Sequence, residues 1–122
     1  MPVTIGHVLL DPSDDHLLVA WERSALGHWL AMPLHRQTGP LHRAQLVISV
    51  PEVQALLGKD VKAVPLLIDT HIRRIVPDDA RAVAVCSTFL VHAIRATLNR
   101  ALVAANAERL MGSQHGPARG VV

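Results

Sequence analysis

The second half of this chain repeats the order of its first half at an offset of 63 to 64 residues. A repeat of that size constrains the fold to two copies of one supersecondary unit. Pro2-Val3-Thr4-Ile5 is echoed by Pro65-Leu66-Leu67-Ile68, and Ser13-Asp14-Asp15 by Pro77-Asp78-Asp79. Further on, Val19, Ala20, Leu26, His28 and Leu34 meet Val83, Ala84, Leu90, His92 and Leu98. Both copies run from a proline through an apolar stretch to an acidic helix start and an apolar helix.

The repeat predicts strands over residues 3 to 10 and 62 to 76, each followed by a helix. In the first copy Ser13 stands as a cap, Asp14 and Asp15 occupy the electropositive first turn, and Leu18, Trp21, Ala25 and Trp29 share a face at 3.6 spacing. That reading gives a helix from about 14 to 31. The competing reading makes Asp11 to Asp15 a hairpin turn between strands, with Gly27 to Leu34 as a third strand. The helix is preferred because its partner segment is strongly helical, and the repeat stands or falls with it. In the second copy the pattern is helical from Asp78 to about Leu110, with Gly112 as a stop.

Between the copies, Ala44 to Val50 reads as a strand. Ser49 and Glu52 have capping-box spacing ahead of a short helix that ends at Gly58. The expected architecture is therefore α+β: a single domain, residues 1–112, of two related strand-helix units with a long C-terminal helix. Residues 113–122 form a flexible tail.

With half of its 122 residues apolar, the chain can bury a core of Leu, Val, Ile and Ala anchored by Trp21 and Trp29. Its charge is only +2, from ten Arg and two Lys, and Arg73-Arg74 is the single adjacent basic pair. With one Phe and no Tyr for base stacking, that pattern argues against dedicated nucleic-acid binding and for anion recognition by a few arginines. Cys86, in a run of Val and Ala, reads as a buried hydrophobe. No apolar run reaches the length of a membrane span, and no leader pattern precedes residue 10, so a cytoplasmic location is expected.

Along the long helix Thr88, His92, Arg95, Asn99, Asn106 and Arg109 form one polar stripe, and nearly everything else is Ala, Val, Leu or Ile. A helix apolar over most of its circumference needs cover on several sides, from its own sheet or from another subunit. Homo-oligomerisation is the expectation.

Met1-Pro2, a strand, a Ser/Asp-started helix and a second Pro-strand-helix copy together resemble the tautomerase superfamily over about residues 1 to 98. Its members use an amino-terminal proline on paired β-α-β units that assemble into trimers or hexamers. The resemblance implies that Pro2, freed of Met1, is a general base moving a proton between the carbon and oxygen of a keto-enol pair. It implies that Arg43, Arg73 and Arg74 bind a small carboxylate substrate, to which a guanidinium fork is matched in geometry. Neither a metal nor a cofactor is called for. His28, His35 and His42 recur every seven residues but straddle a loop, so no single helix face presents all three. Asp69, His71 and Arg73 would share a strand face as acid, base and cation. The alternative function is a non-enzymatic homo-oligomeric assembly or regulatory protein that binds a partner through its long helix.

Overall fold

A computed structural model describes residues 3–58 and 64–121, with side chains as far as Gly112. The architecture is α+β. Seven strands, β1 (His7–Leu10), β2 (Leu17–Arg23), β3 (His28–Arg36), β4 (Gln45–Ile48), β5 (Leu66–Asp69), β6 (Arg74–Pro77) and β7 (Arg81–Val85), form one sheet. Two helices join them, α1 (Val50–Leu57) and α2 (Thr88–Val121). The sheet order is β4-β5-β3-β2-β1-β7, with β6 on β3 beside β5, and every pairing is antiparallel.

The expected helix over 14–31 is replaced by two strands and a turn. Asp11 N–H donates to the His16 carbonyl at 2.8 Å and closes the β1–β2 turn, with Asp15 at φ 59°. Ser24 N–H donates to the His28 carbonyl at 2.8 Å and closes the next turn, where Gly27 sits at φ 81°. The strands escape a polarity test because both of their faces are buried. Val19, Met32 and Leu34 join one apolar cluster, whereas Leu18, Ala20, Trp29 and Ala31 join another on the opposite face. Alternation of direction is present, but alternation of polarity is not.

The second copy departs from expectation as well. Its strand breaks into β5 and β6 around a turn at Thr70 and His71, and residues 62 and 63 lie outside the described residues. Residues 81–85, expected to be helical, are β7 on the outer edge of β1. The cap that starts α2 is Ser87, whose Oγ accepts the Leu90 N–H at 3.1 Å. Its helix then continues past Gly112 to Val121. One copy is thus a three-stranded meander and the other a broken strand pair, an edge strand and a helix, so the strand-helix repeat is not found.

Two expected elements are present, although the strand is shorter than Ala44 to Val50 and Val50 already belongs to the helix. The segment after Ala44 is β4, and α1 ends where Gly58, at φ 100°, donates its N–H to the Gln54 carbonyl at 2.9 Å. Ser49 and Glu52 bond to each other at 2.9 Å rather than to the backbone N–H groups of the first turn.

Topology forces the sheet to curl. β6 lies beyond β3 and β7 beyond β1, so in a flat sheet they would stand four strand spacings apart, about 19 Å. The connection from Pro77 to Arg81 reaches at most about 14 Å. Curling encloses Leu9, Leu18, Ala20, Trp29, Ala31, Val76 and Ala80 without help from either helix. The outer face carries the other cluster, in which Val8, Val19, Met32 and Ile68 meet Val53 of α1 and Leu90 and Ile94 of α2. Gly6 permits the close approach of α2. It has φ 92°, and a Cβ there would stand 3.1 Å from Val91 Cγ2.

Candidate functional site

A cleft of about 450 Å³ opens where α2 crosses the loop before β4 and the β5–β6 turn. Leu98, Ala101, Leu102 and Ala105 of α2 supply an apolar wall. Facing it are His42 and Arg43 from the loop, His71 and Arg73 from the turn, and Glu22 from the end of β2. The loop and the turn are locked together through Thr70. Its N–H donates to the Ala44 carbonyl at 3.0 Å, and its buried hydroxyl donates to the same oxygen.

Each charged group in the cleft has a partner. Arg43 donates through Nη1 to Glu108 and so ties the loop to α2, which holds the Glu108 carboxyl below the usual carboxylate range. Arg73 donates to the carbonyls of Thr70 and Ile72 and reaches Glu22 at 3.4 Å. The rings of His42 and His71 stack with centroids 4.6 Å apart and planes 27° apart. Ala44 N–H donates to His42 Nδ1 at 3.1 Å, which orients that ring.

A second cleft, of about 420 Å³, lies on the other side of the β5–β6 turn and is lined by His16, Pro33, His35, Asp69 and Arg74 among others. Its centre is the buried Asp69 carboxylate, which accepts from Gln45 Nε2 at 2.6 Å and from His35 Nε2. Burial opposes ionisation of Asp69, but these donors prevail and its carboxyl stays below the ordinary range. His35 places its other nitrogen, Nδ1, 2.8 Å from the Arg36 carbonyl. Both neighbours of the ring only accept, so His35 is satisfied as an imidazolium. The Asp69 carboxylate raises its pKa, with a smaller contribution from the Arg36 carbonyl outweighing part of the cost of burial.

The structure therefore separates residues that the sequence grouped. Arg43 and Arg73 come to one cleft, but Arg74 points the other way, into an ion cluster with Asp11 at 2.7 Å and Asp14 at 2.9 Å. That cluster pins the β1–β2 turn to β6 and depends on Ser13, which donates twice to Asp11 and holds its carboxyl low. Asp69 faces the second cleft while His71 and Arg73 face the first, because the strand ends at Asp69. Pro2 lies outside the described residues. Val3, its neighbour, packs against the cluster inside the curled sheet.

His28, His35 and His42 are dispersed. Among the described residues no three His, Cys, Asp or Glu side chains are placed to hold a metal ion. Cys86 is buried, and burial pushes its thiol up to about 11, the setting of an inert core residue. No helix among the described residues is long and apolar enough to cross a membrane.

Family models, curated proteins and solved structures yield no match to this chain. The stacked histidines and the His35–Asp69 pair carry no local sequence signature, since each is assembled from segments that only sheet pairing brings together.

Proposed function

We propose that this chain is a non-enzymatic assembly module that pairs with a second copy of itself through α2. The observation in support is the outer face of that helix. Its own sheet covers Leu90, Ile94 and Thr97, whereas Phe89, Val103 and Leu110 are 77%, 68% and 64% exposed. Together with the exposed Ala96 they recur every seven residues and so line one side of α2. The stripe is self-complementary across a two-fold axis. An antiparallel partner sets Phe89 against Leu110 and Ala96 against Val103, so each bulky end of the stripe meets the other bulky end. Thirty-four residues of helix span about 51 Å, ample length for such a seam.

Sedimentation velocity on the full chain at about 100 µM tests this reading. A dimer or larger species is expected, and Val103→Asp with Leu110→Asp should give a monomer of unchanged helix content by circular dichroism. A parent chain that sediments as a monomer defeats it.

A second reading is an isomerase acting on a small keto or enol carboxylate, with Pro2 as base. The observation in its favour is that Arg43 and Arg73 line one cleft. Ketonization of phenylenolpyruvate by chain that has lost Met1, abolished in Pro2→Ala, is the expected result. A processed chain without turnover rules it out.

A further inference from the structure

We infer that the pocket between β2 and α2 at Trp21 binds the tetrahedral oxyanion of a phosphate or sulfate monoester, with Arg95 and Asn99 as its donors. The inference uses neither Pro2 nor the apolar stripe of α2, so it is independent of both readings above.

Ile5, Trp21, Arg95, Leu98 and Asn99 line this cavity of about 380 Å³. A bulge in β2 shapes it. Ala20 pairs with Ala31 and Glu22 with Leu30, which leaves Trp21 as the extra residue of the strand. Trp21 and Glu22 therefore both turn toward α2, Glu22 into the larger cleft and Trp21 into this one. The Arg95 guanidinium carbon stands 5.6 Å from the centroid of the indole, close enough for the cation to be attracted by the π face. The indole thus places the cation before a ligand arrives, which lowers the ordering cost of binding.

No carboxylate neutralises this cation. In the larger cleft Glu108 matches Arg43 and Glu22 matches Arg73, whereas Arg95 enters no ion pair with a described residue and the lining of its pocket holds no acid. Arg100 and Arg109 of the same helix bond to Thr97 and Asn106, but Arg95 and the Asn99 side chain make no hydrogen bond to a described residue. One full positive charge, a guanidinium and a free amide select an oxyanion.

The donors also select its shape. A guanidinium edge presents two parallel N–H groups that take two oxygens of one anion, and Asn99 adds a third donor one turn along α2, with about 5–6 Å between the two Cβ atoms. A planar carboxylate spends both oxygens on the fork and leaves the amide unmet. A tetrahedral group has a third oxygen for it. Ile5, 46% exposed, and Leu98 stand ready to cover the organic part of the ester.

Trp29 is buried inside the curled sheet, so a ligand-dependent change in tryptophan emission reports on Trp21. Titration of the full chain near neutral pH with phenyl phosphate, phenyl sulfate and benzoate is the test. A saturable change is expected with at least one ester, at half-saturation on the order of 1 mM or below. Response to the phosphate alone identifies a dianion site, and response to the sulfate alone a monoanion site. Benzoate should bind at least about fivefold more weakly than the better ester, for want of the third oxygen. Arg95→Gln should abolish saturation, and Asn99→Leu should weaken the ester by about threefold or more while leaving benzoate unchanged. Both side chains are exposed, so neither substitution removes a core contact. The inference is overturned by no response to either ester at about 10 mM, by benzoate binding as tightly as the better ester, or by saturation that either variant leaves as in the parent.

Discussion

Ile94→Ala should lower the unfolding free energy by about 2–4 kcal/mol, the largest loss expected from a single truncation in α2. Ile94 is fully buried and packs with Val8, Val19, Met32 and Ile68 of the sheet, so its removal leaves a cavity where helix and sheet meet. The rigid cluster around it can collapse only in part. Phe89→Ala should change the monomer's stability by less than about 0.5 kcal/mol, because that ring is 77% exposed. Urea denaturation of the two variants checks the contrast. Equal losses would mean that α2 does not dock on the sheet through the face described.

Asp69→Asn should cost about 1–2 kcal/mol near pH 5.5, and the cost should shrink at both higher and lower pH. The His35 side chain is 40% exposed, so solvent partly screens its ion pair and limits the loss. His35 has its pKa raised in the fold, so its contribution is fully present below its unfolded value, about 6.5, and is lost as pH rises through the folded value. Asp69 has its pKa lowered, so its contribution is present above about 3.9 and is lost as pH falls through the folded value. The pair therefore stabilises most between about pH 4 and 6.5. Denaturation of parent and variant at pH 5.5 and 8.5 decides it: the gap should narrow at the higher pH, and a gap that widens contradicts the imidazolium assignment.

The two clefts show how little of a site built by sheet pairing can be read along the chain. Arg43 and Arg73 could be singled out in the sequence, and the structure brings them to one cleft. Arg74 was not separable from Arg73 by sequence, because their opposite directions follow from where β6 begins. His71 was visible as a base near an acid and a cation, yet its neighbour in space is His42, which comes from the loop before β4. Asp69 is two residues from His71 in sequence, but its hydrogen bonds among the described side chains go to His35 and Gln45.

What the sequence determined by itself was local. The β4 segment, the short helix Val50–Leu57 and the buried character of Cys86 follow from local runs and the Gly58 stop that no distant contact overrides. Tertiary structure decided the rest. Residues 14 to 31 carry apolar side chains on both faces, so helix and strand satisfy the local pattern almost equally, and pairing of β2 with β1 and β3 chooses the strand. Residues 81 to 85 are strand because β1 offers them an unpaired edge, and the helix begins only at the Ser87 cap. The repeat dissolves for the same reason: similar residues at a fixed offset take different conformations when backbone hydrogen bonds to distant strands outweigh propensities of a few tenths of a kcal/mol per residue.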